Sequence, residues 1–422
     1  MMSSELAFTL TFCLLLVAGL VVRTVLASRQ IRHVARHRGT VPEAFAQTIT
    51  PEAHQKAADY TVAKTRFGLI DGAIEAALLL GWTLLGGLHW LNQTLLNLMG
   101  GGMWQQLALV GCFVLIGGLL GLPTAWWSTF RIEERFGFNK MGLGLWMADA
   151  IKGALVGSLI GLPILALVLW LMGAAGPVWW LWAWGVWMGF NLLMLVFYPT
   201  LIAPLFNKFE PLQDEAITTR VNALMARCGF AASGFFVMDG SKRSAHANAY
   251  FTGFGAAKRV VFFDTLLKQL APSEIDAVLA HELGHYKRRH IVQRVVLMFA
   301  LSGVGFALLG WLSTQSWFYT GLGVMPSLAE PNNALAILLF MMVIPLISFF
   351  LSPLMAQLSR RHEFEADAYA MKKTDGHELA SALLKLYKDN ASTLTPDPLY
   401  VRFYYSHPPA SERIARLQGL AA

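Results

Sequence analysis

The chain predicts a mainly α membrane protein of seven transmembrane helices, with a small α/β part outside the bilayer that carries a metal-binding helix. Three observations predict it. The 422 residues are 55% hydrophobic and only 14% charged, against roughly 25% charge in a soluble domain. Seven apolar stretches are long enough for a hydrocarbon layer that takes about 20 helical residues to cross. Finally, His281-Glu282-Leu283-Gly284-His285 sets two imidazoles about one turn apart on one helical face, with a carboxylate beside them.

The apolar stretches run over 6–27, 67–91, 107–129, 154–173, 178–206, 295–311 and 334–355. Pro163, Pro199, Pro204, Pro345 and Pro353 fall in or at the ends of these spans. There, neighbouring helices or a watered cavity can satisfy the carbonyls that proline frees. No Lys or Arg precedes the first stretch, so it lacks the basic start of a cleavable signal and is expected to remain as a span.

Basic residues alternate along the spans. Arg29, Arg32, Arg36, Arg38, Lys56, Lys64 and Arg66 follow the first span, and the loop 92–104 has none. Arg131, Arg135, Lys140 and Lys152 follow the third, and 174–177 has none. Segment 207–292 is rich in Lys and Arg, 312–333 has none, and the tail is basic again. This alternation places the N-terminus outside and the C-terminus in the cytoplasm. The net charge of +7 then belongs to topology and to contact with anionic lipid, so the partner is a bilayer and a nucleic-acid partner is excluded.

Polar residues inside spans need a reason. Asp71 and Glu75 are one turn apart and of like sign, so they must face water or a cation; an interfacial position and the wall of an internal cavity both fit. Arg23 can snorkel to the interface. Cys13, Cys112 and Cys228 form no CxxC pair and read as small buried hydrophobes, not as a disulfide framework or a thiolate site.

The non-membrane segment 207–292 opens with an amphipathic helix over 215–228. The runs 234–239, 248–253 and 259–264 are short, aromatic and β-branched, which predicts a small antiparallel sheet. Pro272-Ser273-Glu274-Ile275-Asp276 predicts a helix start with Ser273 as cap. That helix carries the histidines and is expected to continue into the sixth span. The domains are therefore 1–206 (five spans and their loops), 207–292 (cytoplasmic sheet and metal helix), 293–356 (two spans) and 357–422 (a helical tail that completes the site).

The expected cofactor is one Zn²⁺ per chain. A catalytic zinc has three protein ligands and an open position, so His281 and His285 need a third. Glu363, in Ser359-Arg360-Arg361-His362-Glu363-Phe364-Glu365-Ala366-Asp367, is the best candidate. It follows the seventh span and the histidines precede the sixth, so two spans joined outside bring both to the inner boundary. His362 competes but faces differently from Asp367, and Glu365 points elsewhere. Asp367, four residues on, can accept a hydrogen bond from a ligand imidazole. Arg360, one turn earlier, can pair with either carboxylate. Glu282 is the expected general base. His33, His37, His54 and His377 are expected to be solvated, His89 to lie near the outer interface, and His290 to stand outside the ligand set.

At this point the chain resembles the type I CAAX prenyl proteases, seven-span zinc metallopeptidases. The likeness lies in Ile132-Glu133-Glu134-Arg135-Phe136-Gly137-Phe138-Asn139-Lys140, Tyr198-Pro199-Thr200, Ile202-Ala203-Pro204-Leu205-Phe206-Asn207, Asn248-Ala249-Tyr250 and Arg259-Val260-Val261-Phe262-Phe263-Asp264. It lies also in the metal motif, in 359–367, and in Ser406-His407-Pro408-Pro409 with Arg413-Ile414. The resemblance implies spans arranged as a barrel around a watered chamber, with zinc held at its cytoplasmic end by His281, His285 and Glu363. It implies that Asn248 contacts substrate backbone and that His407 helps to stabilise the oxyanion. His246 keeps a structural reading. The implied substrate is a peptide or protein whose C-terminal cysteine is prenylated, although no residue identifies a prenyl pocket. The end Gln418-Gly419-Leu420-Ala421-Ala422 is no ER retrieval signal, which favours a bacterial inner membrane over the ER. Two rivals stand beside this reading: a quality-control metalloprotease of the heat-shock type, which has fewer spans, and a transporter with structural zinc, which needs ionisable residues spread along several spans.

Overall fold

The computed structural model describes residues 2–230, 234–252, 259–417 and 419. Helix α1 (Ser4–His37) starts where the Ser3 hydroxyl accepts the Leu6 N–H. Helix α2 (Pro51–Trp82) starts on a Thr50 cap with proline in its first turn, where the missing N–H costs nothing. A break of four residues bends the chain by 46° into α3 (Gly87–Met99). The predicted second span, 67–91, straddles this bend. Helices α4 (Met103–Trp127), α5 (Leu143–Ala174) and α6 (Trp179–Phe197) follow. Both α4 and α6 run on into a wide π turn, Ser128–Glu133 and Tyr198–Ile202. With the later helices, the described residues hold six helices long and apolar enough to cross a membrane, or seven with the bent pair as one span.

The soluble part holds β1 (Phe209–Pro211), α7 (Glu215–Cys228), β2 (Gly234–Met238), β3 (Ala249–Thr252), β4 (Arg259–Phe263), the short α8 (Asp264–Gln269) and α9 (Pro272–Lys287). The sheet order is β1-β2-β4-β3. It is mixed, not antiparallel throughout as the sequence suggested: β2 and β4 pair in parallel, flanked by two antiparallel pairs. The reason is topological. Residues 239–248 carry the chain past the position that β4 will fill, so the strand returning from β3 inserts between β2 and β3. Strand β3 is left as an edge. Gly253, the last residue of the predicted run 248–253, lies outside the described residues, as does most of the 418–422 end.

Two further expectations fail at α9. The N-cap is Ala271, not Ser273: the Ala271 N–H donates to the Glu274 carboxylate at 2.7 Å, while the Ser273 hydroxyl donates to Glu378. Nor does α9 continue into the sixth span. It ends at Lys287, Arg289 turns left-handed (φ 57°), and α10 (His290–Leu312) starts afresh. The chain closes with α11 (Ser316–Thr320), α12 (Asn333–Met371), α13 (Gly376–Asp389), α14 (Pro398–Tyr404) and α15 (Ala410–Leu417).

Helix α12 joins two cores. Its first half contributes Leu335, Leu338 and Leu339 to the membrane bundle. Its second half enters the soluble core, where Ala370 packs with Val260, Phe262, Leu279 and Leu283. The Glu274 carboxylate holds α13 against α9 by accepting from Lys385 (2.7 Å) and Ser381 (2.6 Å). Elsewhere, Arg23 stands 4.0 Å from Glu75 and 4.7 Å from the Phe349 ring, beside a cavity of about 170 Å³ between α1, α2 and α12. His54 is buried, not solvated, with Nε2 2.8 Å from the His37 carbonyl, because the first turn of α2 packs on the end of α1.

The meeting of α9 and α12 is unusually close. A Cβ on Gly284 would lie 2.9 Å from Ala366 Cα and 3.0 Å from its carbonyl oxygen. Those are backbone atoms that cannot yield alone. Gly284→Ala is expected to force the helices apart, at about 1–3 kcal/mol. Thermal unfolding in detergent and metal content should both fall; an unchanged midpoint would show that the contact is slack.

Candidate metal centre

Close packing lets side chains from α9 and α12 converge. His281 and His285 lie on one face of α9, and their rings stand edge to face, 4.9 Å apart at 84°. The two Nε2 atoms are 3.2 Å apart. Glu363, from α12, places Oε2 3.4 Å from His281 Nε2 and Oε1 3.3 Å from His285 Nε2. Glu363 Oε2 is buried with no hydrogen-bond partner. Two imidazole nitrogens and a carboxylate converging in this way form a ligand set for a cation.

The spacing tests which cation fits. A tetrahedral ion with bonds of about 2.0–2.1 Å to N and O spaces its ligands about 3.3 Å apart. The observed separations of 3.2, 3.3 and 3.4 Å match that edge length. Calcium or magnesium would want more oxygens.

Each imidazole is held from behind. His281 Nδ1 is 2.8 Å from Asp367 Oδ1. Asp367 in turn accepts a fork from Arg413, at 2.6 and 2.9 Å. The guanidinium on this carboxylate is therefore Arg413 and not Arg360. Arg360 donates instead to the carbonyls of Val401 (3.1 Å) and Tyr405 (2.6 Å). Side chains on a helix lean toward its N-terminus, so Arg360 leans away from Asp367, and it reaches the carbonyls at the end of α14, that of Val401 being shared with the Tyr405 N–H.

His285 is backed by a different chain. Its Nδ1 is 3.0 Å from His290 Nδ1, and His290 Nε2 is 3.2 Å from Glu365. Arg361 donates to the other Glu365 oxygen at 3.1 Å. With His285 Nε2 turned to the ligand cluster, its Nδ1–H donates to His290, whose own proton then sits on Nε2 toward Glu365. His362 is no ligand in this arrangement: it is buried and stacked on His290 at 4.0 Å and 6°. Sequence spacing left His290 outside the ligand set, and it is not among the converging ligand atoms; what spacing did not show is its place behind His285, five residues away. The left-handed turn at Arg289 brings it back, and nothing in Lys287-Arg288-Arg289 announces that turn. Arg413 stood within a motif but had been assigned no partner.

The cluster opens on a cavity of about 1020 Å³ that is also lined by Glu282, Asn248, Ala249, Tyr250 and His407. Asn248 is fixed at the head of β3: its Oδ1 accepts the Ala249 N–H and its carbonyl accepts the Phe263 N–H. His407 places Nε2 3.4 Å from Glu363 Oε1, with Nδ1 3.0 Å from the Ser406 hydroxyl. His246 stacks on Phe138 at 4.3 Å and bonds Asn390, tying the 132–140 segment to α13.

Comparison with known proteins gives concordant results. A family model described as "CAAX prenyl protease N-terminal, five membrane helices" matches residues 30–208, and one described as "Peptidase family M48" matches 211–421. The chain is similar to CAAX prenyl protease 1 of Saccharomyces cerevisiae, 34% identical over 89% of this chain and 88% of that protein. A CAAX prenyl protease 1 homolog of Homo sapiens is 32% identical over 94% and 92%. The crystal structure of S. mikatae Ste24p superposes with a TM-score of 0.91 at 31% identity, covering 97% of this chain and 99% of that one.

The supports behind the imidazoles have a measurable worth. Asp367→Asn and His290→Ala should each weaken metal affinity by about 10–100-fold, read by competition with a chromophoric chelator; an unaltered constant would remove that residue from its supporting role. Burial alone would lower the proton affinity of His281, but hydrogen bonds to Asp367 and Glu363 overcome it and raise the pKa to about 9. Metal and proton compete for this ring, so below about pH 9 affinity should rise by about tenfold per pH unit, levelling above it. A constant that is flat from pH 6 to 9 would contradict the assignment.

Proposed function

The chain belongs to the type I CAAX prenyl protease family of M48 metallopeptidases, and from that membership we propose that it is a zinc endopeptidase that trims C-terminal CAAX peptides at the cytoplasmic face of a membrane. That it is a multi-pass membrane metalloendopeptidase follows from the family itself. The observation that carries the finer reading is the convergence of His281, His285 and Glu363 at 3.2–3.4 Å on the wall of a cavity shared with Glu282. Two imidazoles and one carboxylate at tetrahedral spacing favour zinc as the ion. When bound, such an ion supplies Lewis acidity that acidifies water and polarises the scissile carbonyl.

The remaining work falls to side chains. Glu282 takes the proton from the attacking water and delivers it to the leaving amine. His407, with Nδ1 accepting from Ser406, carries its proton on Nε2, 3.4 Å from Glu363 Oε1, and turns that N–H to the oxyanion as it develops. Strand β3 is a sheet edge on the cavity wall, so its backbone can pair with an extended peptide while the Asn248 amide meets the peptide backbone. Asp367 and Arg413 keep His281 aligned. A prenylated CAAX substrate suits a chamber at the membrane boundary, where lipid and peptide can be held together. The alternation of basic loops supports an outside N-terminus and a cytoplasmic C-terminus, and we favour a bacterial inner membrane.

Glu282→Gln is expected to keep its metal while turnover falls by about 10²–10⁴-fold. Turnover at the native rate would exclude Glu282 as the base. Glu363→Ala should lose both metal and turnover; full metal occupancy there would remove it from the ligand set. Cleavage of a farnesylated CAAX peptide and of its unmodified twin tests the substrate: equal kcat/KM values would separate the enzyme from prenyl recognition.

A further inference from the structure

A second large cavity lies on the other side of α12 from the metal centre, and the established family activity gives it no task. Its volume is about 890 Å³. Five arginines line it: Arg288, Arg360, Arg361, Arg402 and Arg416. Two carboxylates stand against them, Glu365 and Glu412, and Glu365 is already engaged by His290 and Arg361. The positive charge is therefore concentrated and only partly answered.

Several of these guanidiniums are held in place before any ligand arrives. Arg360 donates to two backbone carbonyls, which fix its plane and leave its charge intact. The Arg416 guanidinium lies 4.4 Å from the Phe364 ring centre, a cation–π contact that likewise neutralises nothing. Arg288 and Arg402 are exposed. Planar guanidinium forks arrayed around one cavity suit the oxygens of a phosphate, which they can grip two at a time.

Depth narrows the source. Arg360 and Arg361 stand five and six residues past the end of the apolar stretch 334–355, about 8–9 Å along a helix. A bilayer's headgroup layer extends about 5–8 Å beyond its hydrocarbon on each side. These two guanidiniums thus stand at the outer edge of the headgroup layer, within side-chain reach of phospholipid phosphates.

We propose that this arginine-lined cavity behind α12 is a binding site for a phosphate group, presented to it by an anionic phospholipid headgroup. It is distinct from the general attraction of a basic surface to an anionic leaflet because it is a walled cavity with preset guanidiniums. The site does not depend on the hydrolytic reading, and its occupancy can be measured without any peptide.

The test uses the full chain. Protein reconstituted in nanodiscs of phosphatidylcholine and phosphatidylglycerol is released for native mass spectrometry, and retained phosphatidylglycerol is counted. Arg288→Ala with Arg402→Ala removes two exposed arginines from the cavity. Arg131→Ala with Arg135→Ala removes two exposed arginines from the end of the third span and serves as the control. Retention should weaken roughly 25-fold in the cavity variant, about fivefold per arginine, and stay native in the control. A parallel calorimetric titration of detergent-solubilised protein with inorganic phosphate separates the sources: heat lost only in the cavity variant, with no lipid effect, keeps the phosphate site and assigns it to free phosphate. Equal loss in both variants, or loss in neither arm, overturns the proposal.

Discussion

Everything at the metal centre depends on how near α9 can come to α12. Two helices normally pack 8–10 Å apart, the distance set by the side chains between them. Here the interposed residues are Gly284 and Ala366, and the backbone of one helix approaches within contact of the other. Only then can a glutamate on α12 reach the Nε2 atoms of two imidazoles on α9. The glycine inside the histidine motif has its meaning here: it is the space through which Glu363 enters.

Closeness alone would leave three polar groups free to rotate. The two imidazoles are restrained by different means. His281 rests on Asp367, itself clamped by the buried Arg413 fork. His285 rests on a second imidazole, His290, whose far side meets Glu365. Both arrangements fix the ring proton on Nδ1 and leave Nε2 for the ion, which is the physical requirement. Each draws its outer members from α10, α12 or α15, so the site is assembled from four helices although two supply the ligands.

The membrane part places this assembly at a boundary. Helix α12 is rooted in the apolar bundle by its first half and ends in the soluble core by its second, so the position of Glu363 relative to that bundle follows from one continuous helix. The break after Lys287 has the converse effect. It frees α9 from the direction of α10, and α9 can then align with α12 and the sheet. The same geometry leaves β3 unpaired on one side along the cavity, where an extended chain can be received.

How much of this was legible beforehand depends on the range of the interaction. The spans, their alternating basic loops, the histidine pair and the carboxylate four residues before Asp367 are local patterns, set by the hydropathy and period of contiguous residues. They were readable because a bilayer and a helix each impose one repeat length on the chain. The mixed sheet, the left-handed turn at Arg289, the assignment of Arg413 rather than Arg360 to Asp367, and the pairing of His285 with His290 were not. Each joins residues whose separation in the chain bears no relation to their separation in space, or depends on a single backbone dihedral that many residues can adopt. The sequence by itself determined which groups could bind a metal and in which layer they would stand. Tertiary packing alone decided which of them meet, because van der Waals contact between two helices is what sets distances of 3 Å.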